Sequence, residues 1–236
     1  MNRAAQKRYI LVLIFFLLAA ASAFSQGFIS IGGGLIVDYN LNNGVLQTLN
    51  ETTVYGFHYR NTSVGACVFL DAKYALLQLG FSSGSIVETE DEAKNNGDML
   101  LKNMGRLTQL EISLLGKYPI SFGEISLFFL VGAGYNFVLS GTFPELWYDT
   151  KPWSNPGDES QFGLLGGFGV DFIIADLVGF SPDSLYIRFE ALFNVRFGSK
   201  YMSEIAEYWK ELDSSGTYST AFGMGPRIKF AVGYKF

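Results

Sequence analysis

The sequence has almost none of the side chains that build disulfides and zinc sites. Its 236 residues include one cysteine, Cys67, and one histidine, His58. A single cysteine excludes an intramolecular disulfide and a cysteine-built metal cluster, and a single histidine leaves nothing for a histidine-based zinc site. We therefore predict no metal ion and no other cofactor.

Charge is also scarce. Charged residues form 17% of the chain, whereas hydrophobic residues form 49% and aromatic residues 16%, with 27 glycines. This mixture is more apolar than an ordinary soluble domain and excludes a disordered chain. The length fits one barrel or sandwich, or two small domains.

The amino terminus predicts a secretory signal peptide. Three basic residues among the first eight precede an apolar run at residues 10–20, and Ala-Ser-Ala follows. A helix needs about 20 apolar residues to cross a bilayer, so this run is too short for a transmembrane anchor. We predict cleavage after Ala23, with Ser25 as an alternative. The chain then divides into a signal peptide at 1–23 and one domain at 24–236.

Removal of the signal peptide makes the chain distinctly acidic. Without it, 14 lysines and arginines stand against 22 aspartates and glutamates. So acidic a chain does not match the basic surface that nucleic acid requires, and we predict no nucleic-acid partner.

The rest of the chain alternates apolar and polar residues, which is the period of a β-strand and not of a helix. In residues 184–198, Phe189 and Phe193 share one face, and Arg188 and Glu190 share the other. About eight such stretches are separated by polar segments, which predicts an all-β fold. The predicted strands lie at 28–39, 62–71, 74–87, 105–118, 125–141, 160–174, 184–198 and 221–236.

The apolar faces indicate what surrounds the sheet. From residue 105 onward these faces carry no aspartate, glutamate or lysine, and their only arginine is Arg106, the second residue of a predicted strand. A soluble barrel would turn them inward, but the opposite faces are rich in glycine and serine and would be a poor solvent coat. Bulky apolar side chains outside and small or polar ones inside are typical of a barrel in lipid. Strands in hydrocarbon must pair along both edges, so we predict a closed antiparallel up-and-down transmembrane β-barrel.

The polar faces predict the contents of the barrel. An eight-stranded barrel is just wide enough for side chains to fill, and charges inside it must pair because a lone buried charge is costly. We assign these charges a structural role, in preference to a gated conduit or a catalytic site. The predicted interior polar network consists of Glu111, Lys117, Asp171, Arg188, Glu190, Arg196, Arg227 and Lys229.

The connections predict the orientation. Those at 71–73 and 119–124 are short, and 175–183 is longer than a usual turn. With an even number of strands, both termini lie on the side where a secreted chain first arrives. We therefore expect periplasmic N and C termini in a bacterial outer membrane. The long, polar segments on the other side are 40–61, 88–104, 142–159 and 199–220.

The last strand resembles the C-terminal signal that an outer-membrane insertion machinery reads. In "KFAVGYKF", Lys229 stands at the polar position, Tyr234 and Phe236 stand at the final two positions, and Ala231 replaces the usual glycine. With the signal peptide and the alternation, the chain resembles the OmpA/OmpX-like small outer-membrane β-barrels, in the broad group called porin-family proteins.

This resemblance implies an eight-stranded barrel in a Gram-negative-type cell envelope. Its implied partners are outer-membrane lipids, the insertion machinery and periplasmic chaperones. Pro226 departs from the pattern, because a proline cannot donate a hydrogen bond within a closed ladder. We expect a bulge near the outer rim at this residue.

Three long segments have distinctive compositions. Residues 87–98 gather five carboxylates without the spacing of an EF-hand loop, which predicts a solvated outer loop. Residues 142–160 are rich in aromatic residues and proline, and residues 203–213 predict a short helix on the barrel rim. The aromatic side chains either rest on the membrane interface or contact a carbohydrate or a partner protein. The possible contact residues are Trp147, Tyr148, Trp153, Tyr208 and Trp209.

A catalytic role has one candidate. Some small outer-membrane barrels modify lipids with a histidine, a serine and an acidic residue, and here His58 has Ser63 close in sequence and Glu51 across the loop. The arrangement matches no motif of such enzymes, so we interpret His58 as an exposed residue of the rim. We predict a protein that is not an enzyme.

The sequence thus favours a noncatalytic outer-membrane β-barrel that displays extracellular loops, for envelope integrity or surface binding. The alternatives are a lipid-modifying barrel enzyme, a narrow gated channel and a soluble lipocalin-like periplasmic barrel.

Overall fold

The protein folds into eight long antiparallel β-strands and one short strand. The computed structural model describes residues 29–47, 54–91, 100–142, 159–174, 184–198, 217–219 and 222–236. In chain order the strands are β1 (Ile29–Gln47), β2 (Val54–Ala72), β3 (Ala75–Asp91), β4 (Leu100–Phe122), β5 (Ile125–Thr142), β6 (Gln161–Ile173), β7 (Leu185–Phe197), β8 (Thr217–Ser219) and β9 (Gly223–Lys235). Each of the eight predicted strands corresponds to one long strand. Within the described ranges, no helix is long and apolar enough to cross a membrane.

The long strands close into a barrel. Each pairs with the next along the chain, and β9 pairs with both β7 and β1. A line drawn through directly paired residues, from strand to strand around the barrel, starts at Ile173 of β6. It returns to β6 at Gly163, which lies ten residues away along the same strand. A stagger of this kind tilts the strands by roughly 35–45° and leaves an interior that side chains can fill. The predicted closed antiparallel barrel is confirmed.

The two ends of the barrel differ. Two-residue turns at 73–74 and 123–124 join neighbouring strands at one end, which we call the turn end. Both termini of the barrel wall lie there too, because Phe236 N donates to Ile29 O at 3.0 Å. Gly123 has a φ of 61°, a left-handed conformation that glycine adopts without steric cost. The long segments leave from the opposite end, the loop end, where β8 pairs with the last residues of β1.

The strand faces separate as the alternation predicts. Phe168, Phe193 and Phe230 face outward and are 57%, 50% and 51% exposed, whereas Arg188 and Glu190 face the axis and are fully buried. A soluble protein has the opposite distribution, and apolar residues outside with charges inside fit a barrel surrounded by lipid. The chain is therefore a transmembrane β-barrel.

Two prolines differ from the sequence-based expectations. Strand β4 continues through Pro119 to Phe122, so the predicted turn at 119–124 shrinks to two residues. The bulge expected at Pro226 is wrong, since β9 keeps one register with β7 throughout. Instead, the pairing of β9 with β1 is interrupted beside Pro226, where the proline has no N–H to donate. A shift of register occurs elsewhere, where β5 passes Thr108 of β4.

Candidate functional site in the barrel interior

Ten charged side chains meet on the barrel axis. Five are acidic and five are basic, so the charges of this group balance. All eight residues of the predicted network lie there, and two further aspartates join them. The ten residues are Asp38, Asp71, Glu111, Asp171 and Glu190 with Lys117, Arg188, Arg196, Arg227 and Lys229.

The cluster nearest the turn end is centred on Arg188. Its Nε donates to Asp171 Oδ1 and its Nη2 to Asp171 Oδ2, both at 2.7 Å, so the pair is bidentate. The two residues are direct neighbours in the pairing of β6 with β7. Asp71 reaches across from β2 and accepts from Arg188 as well. Lys117 Nζ completes the cluster at 2.6 Å from Asp71 Oδ2 and 3.6 Å from Asp171 Oδ2.

Three aromatic rings surround the same guanidinium. The Arg188 Cζ lies 4.7 Å from the centroid of Phe69, 4.9 Å from that of Phe128 and 5.2 Å from that of Tyr186. These are cation–π distances, and such contacts are stronger when water is excluded. Tyr186 is held by a 2.7 Å hydrogen bond between its hydroxyl and Ser30 Oγ. Arg188 is thus fixed by two carboxylates at its edge and by rings at its faces.

Each of these rings lies over a glycine directly opposite it in the sheet. The cross-strand pairs are Gly32 with Phe69, Gly169 with Phe128, and Gly233 with Tyr186. A Cβ built on any of the three glycines would meet the ring of its partner. Glycine is therefore required at these positions because the aromatic ring occupies the volume where a side chain would stand.

A second group lies at mid-height. Glu190 Oε2 is 2.7 Å from Lys229 Nζ and accepts from Gln78 Nε2 at 2.9 Å. Glu190 and Lys229 are direct neighbours in the pairing of β7 with β9. Arg188 Nη1 lies 3.8 Å from the other oxygen of Glu190. Glu190 therefore links the turn-end cluster to the basic residue of the neighbouring strand.

The cluster nearest the loop end is centred on Arg227. Its Nη2 donates to Asp38 Oδ2 at 2.8 Å and to Glu111 Oε2 at 2.5 Å, and its Nη1 also donates to Glu111. Asp38 is its direct neighbour on β1, whereas Glu111 reaches across from β4. Arg196 contacts both acids, with a hydrogen bond to Asp38 and a 3.7 Å approach to Glu111 Oε2. Two arginines and two carboxylates thus form a closed group.

The charged side chains fill most of the barrel axis and leave little open space along it. Arg188, Glu190 and Lys229 have at most 1% of their surface exposed. A cavity of about 210 Å³ opens at the turn end, and its inner wall includes Asp71, Asp171 and Arg188. Among the described residues, no group of histidine, cysteine, aspartate or glutamate side chains has the geometry to hold a metal ion.

Two charged residues of this ten-residue group were missed by the sequence-based prediction. Asp71 was assigned to a turn, but β2 runs to Ala72, so Asp71 is a strand residue that faces inward. Asp38 lies within the first predicted strand, 28–39, but was not assigned to the interior network. The signal was present in both cases, because Asp38 has the parity of buried Ile36 and Asp71 has the parity of buried Phe69.

The proposed C-terminal signal residues occupy both faces of β9. Lys229 and Ala231 face the axis and are buried. Tyr234 and Phe236 form an edge-to-face pair at the turn end, with ring centroids 5.2 Å apart, and 72% of Phe236 is exposed. Recognition of these residues by an insertion machinery stays a prediction.

Several predicted features lie outside the described residues. These are the signal peptide at 1–23, most of the acidic segment 87–98, the helix at 203–213, and the contact residues Trp147, Tyr148, Trp153, Tyr208 and Trp209. The side chains of His58 and Glu51 are also outside the description, whereas Ser63 is buried and faces the barrel interior.

The comparisons with known proteins concern structure alone. No protein-family model matches the chain, and no curated protein matches it in sequence. Among solved structures, the attachment invasion locus protein Ail of Yersinia pestis, in complex with the heparin analogue sucrose octasulfate, is 12% identical over 89% of this chain and 99% of its own, with a TM-score of 0.37. The chain is similar to outer-membrane β-barrels.

Two further structures agree in kind. The translocator domain of the autotransporter NalP from Neisseria meningitidis is 11% identical over 99% of this chain and 98% of its own, with a TM-score of 0.30. The outer membrane protease OmpT from Escherichia coli is 8% identical over 89% and 97%, with a TM-score of 0.36. At such identities and scores the barrel fold of this chain rests on its own strand pairing.

The aromatic rings over glycine generate a stability prediction. The Gly233→Ala substitution should destabilise the folded barrel by about 1–3 kcal/mol, because the new methyl group displaces the Tyr186 ring from Ser30 and Arg188. Gly166→Ala is the matched control, since a Cβ at this position would have its nearest heavy atom 4.0 Å away, and it should change stability by less than about 1 kcal/mol. Urea unfolding in phospholipid vesicles measures both. Equal stabilities for the two variants would contradict the requirement for glycine.

The loop-end cluster generates a second prediction. The Arg227→Met substitution should destabilise the barrel by about 3–5 kcal/mol, because Asp38 and Glu111 then share only Arg196 in a buried site. Lys235→Met, which removes an exposed charge at the turn end, should cost less than about 1 kcal/mol. Unfolding of both variants in vesicles is the measurement. A loss at Arg227 no larger than at Lys235 would show that the cluster is not a structural element.

Proposed function

We propose that the protein is a noncatalytic integral outer-membrane β-barrel that displays extracellular loops, for envelope integrity or surface binding. The observation that carries the proposal is the division of side chains between the two faces of one closed sheet. Ten paired charges lie on the axis, while the outer wall is built from phenylalanine, leucine, isoleucine and valine. Each exposed apolar side chain of this wall would be unfavourable in water and is favourable against acyl chains.

The orientation is part of the proposal. The turn end, which holds the two short turns and both ends of the barrel wall, faces the periplasm, and the long segments face outward. A signal peptide at 1–23 delivers the chain to the periplasm, where chaperones and the insertion machinery receive it. The aromatic residues at the end of β9 serve as the insertion signal.

The interior charges have a structural role under this proposal. Each of the ten is engaged with an opposite charge, and the two clusters bring together strands from opposite sides of the ring, as Asp71 does with Arg188 and Glu111 with Arg227. A general acid or base needs access to a substrate. The loop-end cluster is buried, and the turn-end cluster meets a cavity of only about 210 Å³, which supports a noncatalytic interior.

Surface binding is assigned to the long segments at the loop end. The Yersinia protein Ail has been crystallised in complex with the heparin analogue sucrose octasulfate. For this chain we propose that Trp147, Tyr148, Trp153, Tyr208 and Trp209 form the contact surface, and the sequence specifies no ligand class.

The proposal is tested by fractionation of cell envelopes and by gel mobility. The protein should stay in the membrane pellet after salt and carbonate washes, because its apolar wall is embedded in lipid. After refolding in detergent it should migrate faster before boiling than after, since the closed barrel resists the gel detergent. Release by carbonate alone would support the soluble lipocalin-like alternative and would contradict the membrane assignment.

The remaining alternatives give distinct readings in the same preparations. Steady ion conductance of the refolded protein in planar bilayers would favour the gated channel over a filled barrel. Loss of a lipid modification on His58→Ala replacement would favour the enzyme. The proposed function requires neither effect.

A further inference from the structure

Four buried oxygen atoms toward the loop end of the inner wall accept no hydrogen bond from the described part of the chain. They are the Oδ1 atoms of Asp38 and Asn40 on β1, Asn61 on β2 and Asn194 on β7. Each of these residues is at most 3% exposed. An acceptor that is buried without a donor loses the stabilisation of its hydration. The four oxygens therefore point to a bound group that donates hydrogen bonds to them.

The strand register brings the three asparagines together around Gly225. Asn194 is the direct neighbour of Gly225 in the pairing of β7 with β9, and Asn40 is the direct neighbour of Asn61 in the pairing of β1 with β2. A Cβ at Gly225 would lie 3.1 Å from Asn40 Cα, so Asn40 flanks the glycine from the other side. Two strand spacings separate the Cα atoms of Asn40 and Asn194 by about 10 Å. Because Gly225 has no side chain, none from β9 stands between the two amides in this row.

The same row interrupts the pairing of β9 with β1, which we call the seam. Pairing at the seam stops after Asp38 and resumes at Leu41, beside Pro226, which has no N–H to donate. Backbone groups that lack a ladder partner inside a barrel wall need another polar partner. A ligand on the inner side of the seam at Gly225 can serve the asparagine side chains and these backbone groups together.

The charges beside the asparagines select a neutral ligand. Asp38 Oδ2 accepts from both Arg227 and Arg196, so two guanidinium groups lie next to Asp38 Oδ1. These groups repel a metal ion or an ammonium group, although amide and carboxylate oxygens are ligands that cations use. Arg227 Nε also has no acceptor among the described residues. Water can donate to the oxygens, accept from this N–H, and fit inside an eight-stranded barrel.

We propose that Asn40, Asn61 and Asn194 form a binding site for structural water at the seam between the first and the last long strand. The water donates to their Oδ1 atoms and to that of Asp38, and so bridges β7, β1 and β2. It supplies the polar contacts that Pro226 cannot make, and thereby supports closure of the barrel. The site depends on the closed barrel and is independent of any ligand of the loops.

Contacts with water in nuclear magnetic resonance spectra test the site. The sample is the refolded, isotope-labelled full chain in detergent micelles. Side-chain amide protons of Asn40, Asn61 and Asn194 should give cross-peaks with water that have opposite signs in laboratory-frame and rotating-frame Overhauser spectra. Opposite signs mark a bound water molecule, whereas proton exchange gives the same sign in both spectra. Absence of these cross-peaks in the wild-type protein would overturn the site.

A neighbouring hydroxyl group requires a control. Ser63 is the direct neighbour of Asp38 on β2 and is buried, so its exchanging proton can imitate a bound water. The cross-peaks of the three asparagines should persist in the Ser63→Ala variant. Their disappearance in that variant would assign them to the hydroxyl group and would overturn the site.

A second variant distinguishes one shared water site from separate contacts. Asn194→Leu removes a ligand on β7, and the water cross-peaks of Asn40 and Asn61 on the other strands should weaken about fivefold or more. Hydrogen exchange of the backbone amides at 39–42 should accelerate about tenfold, because the seam loses its water. The matched control is Asn136→Leu, which replaces a buried asparagine of β5 outside the seam and should change neither reading. Equal effects of the two variants, or no effect of Asn194→Leu, would contradict the proposal.

The remaining outcomes concern a cation and a variant that does not fold. An unfolding midpoint that is higher in sodium or calcium chloride than in choline chloride of equal ionic strength would indicate a bound metal ion and would overturn the assignment of water. If Asn194→Leu lacks the heat-dependent shift in gel mobility and so has not folded, the spectra of the wild-type protein and of Ser63→Ala decide.

Discussion

The need to pair every backbone amide within hydrocarbon governs this molecule. No water is available inside a bilayer to accept hydrogen bonds from a free strand edge, so the sheet must close on itself. Pairing of β9 with β1 closes the sheet into a barrel. In a closed barrel, alternate residues of each strand face the interior and the exterior. Once the outside is lipid, the apolar parity must face it, and every charge on the other parity is forced onto a narrow axis where it needs a partner.

The stagger of the ring determines which partners are found. A line through directly paired residues shifts by ten residues along the strands in one turn around the barrel. Side chains that are distant in sequence therefore lie at the same height on the axis. Asp71 and Arg188 are 117 residues apart, and Glu111 and Arg227 are 116 apart, yet each pair forms a hydrogen bond. The interior ion pairs therefore connect strands across the barrel as well as neighbouring strands. This explains how a sheet with an apolar exterior can have a rigid, polar centre.

Arg188 shows how backbone and side chains depend on each other. The rings of Phe69, Phe128 and Tyr186 can surround it only because each lies over a glycine of the adjacent strand. These three glycines are therefore part of the site around Arg188. A larger residue at Gly32, Gly169 or Gly233 would occupy the volume that the ring fills.

The sequence predicts which face of a strand a side chain occupies better than it predicts which side chains contact each other. Alternation in β7 was enough to place Arg188 and Glu190 inside and Phe193 outside, because a strand has only two faces. It could not predict that Asp71 meets Arg188, since that contact depends on the stagger of the whole ring. The expected bulge at Pro226 was wrong for a related reason, because a ladder can also lose one pairing without changing its register.

The central claim is that alternate residues of one strand face acyl chains and a closed axis. A nitroxide scan along β7, with Cys67 replaced by serine, tests it most directly in refolded, vesicle-embedded protein. Labels at Ile187, Phe189, Ala191 and Phe193 should collide freely with lipid-dissolved oxygen, while labels at Tyr186, Leu192 and Asn194 should be shielded from it. Collision rates that lack this two-residue period, or that are high at the second set and low at the first, would contradict the account.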